Sequence, residues 1–96
     1  MQFYALIYHV VEDYIVRRAQ YRDEHLRLAI DAYKRGELVL GGAYAEPADQ
    51  ALLVWRVADK SVIDDFVNED PYVKNGVVTK WEIRLWKVAV GQDVFD

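Results

Sequence analysis

Two short polar segments contain the residue types that acid–base chemistry on a small molecule requires. In the first, Arg22 and His25 stand three positions apart in a stretch with helical periodicity. The second lies far along the chain and consists of Asp70, Pro71 and Tyr72. A histidine titrates near neutral pH and suits general acid or base catalysis when a carboxylate orients its ring. Together the two segments predict a small cleft built around a histidine and a carboxylate.

Arg22 lies in a helical stripe that is otherwise apolar. On a helical wheel at about 100° per residue, Arg22 falls at the centre of this stripe, and Arg18 and His25 fall on its shoulder. Burying a guanidinium is unfavourable unless a carboxylate or dense hydrogen bonds compensate. Two interpretations stay open: Arg22 lies at a pocket mouth or beside a partner, or its charged end extends past the sheet edge with its stem packed. In the first case one bound anion could contact both Arg22 and His25.

The first half of the chain predicts a strand followed by a long helix. Residues 2–11 are rich in aromatic and β-branched side chains, which is typical of a buried strand. The helix runs from residue 15 to Lys34 and Arg35 and stops at Gly36. Its stripe recurs at three- and four-residue steps and comprises Ile15, Ala19, Arg22, Leu26, Ala29, Ile30 and Tyr33.

The second half predicts a β-hairpin, a shorter helix and a last strand. Residues 38–44 and 51–57 form the hairpin around a turn that contains Pro47. The remaining elements are a helix over residues 60–68 capped by Asp59, a strand over residues 77–90, and a short tail at residues 91–96. The order βαββαβ predicts a ferredoxin-like α+β fold, with a four-stranded antiparallel sheet and both helices on one face.

The predicted strands are apolar on both faces. In the first strand Phe3, Ala5 and Ile7 alternate with Tyr4, Leu6 and Tyr8, so neither side is polar. A sheet with helices on one face normally exposes polar residues on the other. We therefore expect a second copy of the chain to cover the open side, giving a homodimer formed sheet against sheet.

Composition excludes several classes of protein. The 96 residues are 53% hydrophobic and 29% charged, which predicts one folded domain over residues 1–96. The formal net charge of −4 disfavours nucleic-acid binding. Without cysteine there are no disulfides, thiol nucleophiles or cysteine metal sites. The N-terminus has no basic lead-in and its apolar run ends early, so we expect no signal peptide, no membrane span and a cytoplasmic location.

Other candidate residues give weaker signals. Gly41 and Gly42 lack the helix start and lysine of a nucleotide loop, and indicate a bulge or a place where a ligand comes close. We count Gly42 among the predicted substrate-binding residues. His9 and His25 have no convincing carboxylate set at metal spacing, so we predict no metal and no cofactor. The three tryptophans fit the core or a dimer interface better than a ligand platform.

Several of these motifs occur together in a known family. The sequence resembles the YciI-like (YCII-related) proteins over nearly its whole length, through Arg22-x-x-His25-Leu26, Gly41-Gly42, and Asp70-Pro71-Tyr72 followed by Gly76-Val77. The resemblance implies a dimeric α+β barrel and a site that pairs His25 with Asp70. One branch includes dehydrochlorinases of chlorinated hydroxyquinols, and the wider superfamily includes muconolactone isomerases and small monooxygenases. Many members have a proline or small residue just before the histidine, whereas this chain has Asp23 and Glu24.

The leading hypothesis is a lyase-like or isomerase-like enzyme acting on a small carbonyl or phenolic substrate. His25 moves a proton, Asp70 holds the histidine tautomer, and Arg22 binds an anionic oxygen of the substrate. Tyr72 and Tyr8 line the pocket or donate a hydrogen bond as negative charge develops. The main alternative is a non-catalytic dimeric module that binds a small anionic metabolite in the same cleft. A cofactor-free monooxygenase is a third hypothesis, which no residue selects.

Overall fold

Four antiparallel strands form the sheet that carries the site. The structure is a computed structural model that describes residues 1–91 and 94–95. The strands, in the spatial order β2-β3-β1-β4, are β1 (Gln2–Val10), β2 (Leu38–Ala43), β3 (Gln50–Val57) and β4 (Val78–Trp86). The α-helices are α1 (Tyr14–Arg17), α2 (Arg22–Lys34), α3 (Ser61–Glu69) and α4 (Pro71–Lys74). The predicted α+β class and four-stranded antiparallel sheet are confirmed.

The core lies between the helices and one face of the sheet. Side chains alternate along β1, so Leu6 and Tyr8 face the helices and are buried. Their antiparallel partners on β3, Leu53 and Ala51, share that face. Further along β3, Trp55 packs its ring against Phe66 of α3, with the ring centroids 5.0 Å apart. This face therefore fixes the position of α3 and of the segment that follows it.

The predicted long helix is interrupted, which corrects the placement of Arg22. Residues Arg18–Tyr21 form a 3-10 turn between α1 and α2. A 3-10 residue turns by about 120° rather than about 100°, so four of them shift the helical phase by about 80°. As a result Arg22 is exposed, whereas the His25 side chain is only 13% exposed. The prediction that Arg22 occupies the centre of the buried face is wrong.

The last strand is shorter than predicted. The expected strand over residues 77–90 ends at Trp86 in β4. Beyond it, β5 (Val90–Gly91) pairs antiparallel with β6 (Val94–Phe95), so part of the expected tail forms a small separate ladder. Residues 92, 93 and 96 of that tail lie outside the described residues.

The open face of the sheet is apolar at its centre and charged on β4. Here β1 and β3 present five apolar side chains: Phe3, Ala5, Ile7, Leu52 and Val54. On the neighbouring edge, β4 presents Lys80, Glu82, Arg84 and Trp86 to the same face. The expectation of two apolar faces therefore describes β1 and β3 but not β4.

Among the described residues, no helix is long and apolar enough to cross a membrane.

Candidate functional site

A cavity of about 320 Å³ opens between α2 and the β2–β3 side of the sheet. This volume is at the lower end of the range for small-ligand sites, roughly 300–1,000 Å³. The contribution of α2 is Arg22, His25, Leu26, Ala29, Ile30 and Tyr33. Five of the seven residues of the predicted helical stripe, Arg22 among them, thus line a cavity.

Asp70 is the fully buried centre of a hydrogen-bond network beside this cavity. It accepts three hydrogen bonds: from the Tyr8 hydroxyl at 2.8 Å, from Nδ1 of His25 at 2.8 Å, and from the backbone N–H of Tyr72 at 3.0 Å. The last of these caps α4, whose first residue is Pro71, so the predicted turn begins a short helix. Charge-assisted bonds of this length compensate the burial of the carboxylate.

His25 is held in one orientation with one ring nitrogen left for a ligand. Its imidazole stacks on the Tyr72 ring, with centroids 3.9 Å apart and planes inclined by 9°. The edge of Phe66 lies on another side, with a centroid distance of 6.4 Å. A carboxylate only accepts hydrogen bonds, so Nδ1 carries the proton and Nε2 of the neutral ring is an acceptor. His25 also lines the cavity, and its ring makes no side-chain hydrogen bond within the described residues other than the one from Nδ1.

Tyr8 contributes to the site through Asp70. It is 1% exposed and its hydroxyl donates to Oδ2 of Asp70. Burial, the charge of Asp70 and this hydrogen bond together raise the pKa of the Tyr8 hydroxyl far above its ordinary value. The hydroxyl is therefore a permanent donor to the carboxylate at neutral pH. Tyr8 also lines the cavity, with its hydroxyl bonded to Asp70, and its contact with a substrate stays a prediction.

Tyr72 places a buried polar atom at the cavity wall. Tyr72 is 2% exposed, and its hydroxyl has no hydrogen-bond partner among the described residues. Burial raises the pKa of this hydroxyl and nearby Tyr14 adds to the effect, while the charges of Arg22 and Arg18 oppose it, as does the approach of the Arg22 guanidinium to the hydroxyl outside hydrogen-bond geometry. The phenol is thus protonated at neutral pH and available as a donor. Leaving such a group unpaired is unfavourable, so it is a natural contact for a ligand.

The remaining predicted residues fall in different places. Gly42 lines the cavity, but it pairs with Leu52 and so lies on the open-face side of β2, where an added Cβ would meet nothing within 4 Å. An added Cβ at Gly41 would approach Cγ of Leu53 at 3.2 Å. His9 is far from this network and contacts Glu82 on the open face at 3.1 Å. No group of three potential metal-ligating side chains occurs in the part of the chain that the structure describes.

Sequence reasoning missed part of the cavity wall. Tyr14 and Arg18 lie on the α1 side, and Leu38, Leu40 and Ala43 on β2 close the opposite side. The sequence did contain a signal for Arg18. It precedes Arg22 by four residues, about one helical turn, so the two cations are expected on the same side of a helix. No signal in the sequence marks these three β2 residues, in contrast to Gly41 and Gly42, because they reach the cavity only through the pairing of β2 with β3.

Removing the Tyr8 hydroxyl tests the network. In Tyr8→Phe, Oδ2 of buried Asp70 loses its donor, so we expect the free energy of unfolding to fall by about 1.5–3 kcal/mol. Urea unfolding followed by tryptophan fluorescence measures this change. The matched control is Tyr4→Phe, whose hydroxyl donates to Gln2 at an exposed position. An equal effect of the two substitutions would contradict the structural role of the Tyr8–Asp70 bond.

Comparisons with known proteins agree with this architecture. A similar solved structure is the 5-chloro-2-hydroxyhydroquinone dehydrochlorinase TftG of Burkholderia phenoliruptrix AC1100, in complex with 2,5-dihydroxybenzoquinone. The TM-score is 0.74 at 15% sequence identity, covering 88% of this chain and 93% of that one. At this identity the likeness shows the fold alone. The sequence matches no curated protein. The protein-family model of the YCII-related domain matches residues 1–87 of this sequence, and the chain therefore belongs to the YCII-related family.

Proposed function

We propose that this protein is a small-molecule enzyme that transfers a proton through His25 to or from a carbonyl or phenolic substrate. The observation that carries the proposal is the 2.8 Å bond from Nδ1 of His25 to buried Asp70, which leaves Nε2 as a base in the cavity wall. The carboxylate fixes the tautomer and stabilises the imidazolium that forms. The fold shared with a dehydrochlorinase supports the same class of chemistry.

The proposed reaction begins when Nε2 removes a proton from a carbon next to a carbonyl group, or from a phenolic oxygen. The electron pair of the broken bond forms a new π bond. In an elimination, the leaving group departs with its own bonding pair. In an isomerisation, the imidazolium returns the proton to another carbon. The Arg22 guanidinium and the Tyr72 hydroxyl stabilise the negative charge that develops on oxygen.

Proton exchange and chloride release test this proposal directly. The protein is incubated in deuterium oxide with a panel of hydroxylated and chlorinated quinols, and NMR follows deuterium incorporation while an electrode follows chloride. The panel includes 5-chloro-2-hydroxyhydroquinone and 2,5-dihydroxybenzoquinone, because the dehydrochlorinase of similar fold is described with both. We expect at least one compound to exchange or eliminate faster than it does with heat-unfolded protein.

The alternative is a binding module without catalysis. The exposed guanidinium of Arg22 at the cavity favours this alternative, because it can bind an anion whether or not a reaction follows. A ligand of such a module raises the unfolding temperature as its concentration exceeds its dissociation constant. Compounds that stabilise the protein but show neither deuterium exchange nor elimination on long incubation would favour this alternative.

We further propose that residues 1–96 act as one domain in a homodimer formed through the open sheet face. Apolar side chains of β1 and β3 at the centre of this face support the proposal. Light scattering at micromolar concentration is expected to give twice the mass of one chain. Leu52→Glu, on the open face, should yield monomers, because dimerisation would bury the introduced charge. The control Val16→Glu, at a position 77% exposed on α1, should leave the mass unchanged. A wild-type monomer under these conditions would eliminate the proposal.

A further inference from the structure

Two guanidinium groups lie at the same end of the cavity, and no carboxylate in the described part of the chain neutralises them. Arg18 and Arg22 both line the cavity, and neither forms a salt bridge within the described residues. Within residues 1–91 and 94–95, the lining of the cavity includes no aspartate or glutamate. Arg18 is held in place by the Tyr14 ring, whose centroid is 4.9 Å from the guanidinium carbon, and by a 3.3 Å bond to the Tyr14 hydroxyl. A pair of cations at one cavity, one of them held by Tyr14, in a chain of net charge −4 indicates an anion site.

The buried hydroxyl of Tyr72 adds an independent observation at the same end. It is unpartnered among the described residues, and it lies close enough to Arg22 and Arg18 for both to influence its pKa. A neutral donor next to two guanidinium groups can supply a third hydrogen bond to a bound oxygen. Guanidinium groups match the planar carboxylate with two parallel N–H donors. The donor set therefore fits a carboxylate.

The opposite end of the cavity is apolar. Leu26 and Ile30 follow Arg22 at four-residue steps along α2, so Ile30 lies about 12 Å beyond Arg22 along the helix axis. Tyr33 of α2 lines the same cavity. Ile30 is 48% exposed and Tyr33 is 62% exposed, although both have large apolar side chains. A ligand with an apolar body would remove this surface from water.

We propose that the cavity selects an amphiphilic carboxylate. Its carboxylate binds Arg18, Arg22 and the Tyr72 hydroxyl, and its unsaturated or aromatic body extends toward Leu26, Ile30 and Tyr33. His25 lies between the two ends, so the reacting carbon of this ligand is the one that passes Nε2. This inference rests on the proposed function for the reaction, whereas the carboxylate preference is a binding property that can be measured without turnover.

Matched pairs of acids and amides test the preference. Isothermal titration calorimetry compares benzoate with benzamide and cinnamate with cinnamamide, which have the same shape and differ in charge. Acetate supplies the anion without an apolar body. We expect at least one aromatic acid to bind about tenfold or more tightly than its amide, because charge-assisted hydrogen bonds are lost in the amide. Acetate should bind more weakly than that acid. Equal binding of acid and amide in both pairs, or no binding of either acid at millimolar concentration, would overturn the proposal.

Charge-removing variants locate the carboxylate. Arg18→Gln and Arg22→Gln should each weaken binding of the preferred acid by about tenfold and leave binding of its amide unchanged. The matched control is Arg27→Gln, an exposed position of α2 outside the cavity, which should bind as the wild type does. Tyr72→Phe should weaken acid binding, and Tyr21→Phe, outside the cavity, should not. Unchanged acid binding in both arginine variants would refute the assigned site.

Binding by a His25 variant separates this inference from the proposed function. His25→Asn should retain the preference for acid over amide, because the asparagine does not alter either guanidinium. Turnover of neutral quinols with no preference for acids would overturn the carboxylate proposal and leave the proton-transfer proposal standing. Acid-selective binding with no turnover of any acid or quinol would support the carboxylate proposal and overturn the proton-transfer proposal.

Discussion

Replacing His25 by asparagine is expected to reduce turnover by about 100- to 10,000-fold, the range associated with a lost general acid or base. Asparagine is polar and fits the space beside Asp70, but it has no nitrogen that takes up a proton at neutral pH. The measurement is the rate of deuterium exchange or elimination for the compound that the wild-type protein turns over. Circular dichroism and the unfolding temperature show whether the variant keeps its fold.

The other histidine provides the matched control. His9→Asn changes the same residue type on the open face, where the ring contacts Glu82 and Gln50 away from the cavity. We expect turnover by the folded His9→Asn protein to stay within about threefold of wild type, a change of less than 1 kcal/mol in activation free energy. Full turnover by His25→Asn would remove His25 from the mechanism. Equal losses in both variants would point to a general effect on structure.

Replacing Asp70 by alanine is expected to have the largest effect on stability. Asp70 is 0% exposed, and its carboxylate accepts bonds from Tyr8, His25 and the start of α4. Alanine leaves the Tyr8 hydroxyl and the imidazole N–H without their acceptor inside the protein. We expect the free energy of unfolding to fall by about 3–5 kcal/mol, the range for breaking a buried charged network. Urea unfolding measures the change.

Two further variants distinguish the loss of the hydrogen bonds to Asp70 from the loss of a negative charge. Asp70→Asn keeps an oxygen for both Nδ1 of His25 and the Tyr72 N–H, which share Oδ1, and turns its amide N–H toward the Tyr8 hydroxyl, so its loss should be smaller than that of alanine. Asp64→Ala removes an exposed carboxylate on α3 that pairs with Lys60. This substitution should change the free energy of unfolding by about 1 kcal/mol or less. If Asp70→Ala were no less stable than Asp64→Ala, the buried network would not contribute to folding.

The order of the helices and strands could be predicted because each helix or strand depends on residues that are near one another in the sequence. Alternating aromatic and β-branched residues indicated β1, Gly36 marked the end of the first helix, and Pro71 marked a break after α3. The errors fall where local patterns compete with long-range pairing. The strand expected to reach residue 90 ends at Trp86, its last residue paired with β1.

The phase of the first helix could not be read from periodicity alone. A helical wheel assumes one uniform twist, and the 3-10 turn Arg18–Tyr21 breaks that assumption between Ile15 and Arg22. Beyond the turn His25 faces the interior, and Leu26, Ile30 and Tyr33 face the cavity. An apolar stripe is equally consistent with a core face and with a ligand cavity, and only the position of β2 distinguishes them.

By itself the sequence determined the βαββαβ order, the family motifs and which polar residues were unusual. The tertiary structure decided that Asp70 joins His25 across 45 positions and Tyr8 across 62 positions, and that Arg18 and Tyr72 share the cavity with Arg22. The reason is physical: helical and strand periodicity arise from local backbone geometry, whereas these contacts depend on the register of β1 with its neighbours and on the packing of α2 against the α3–α4 segment. The family resemblance suggested the His25–Asp70 pair, and the fold supplies its geometry.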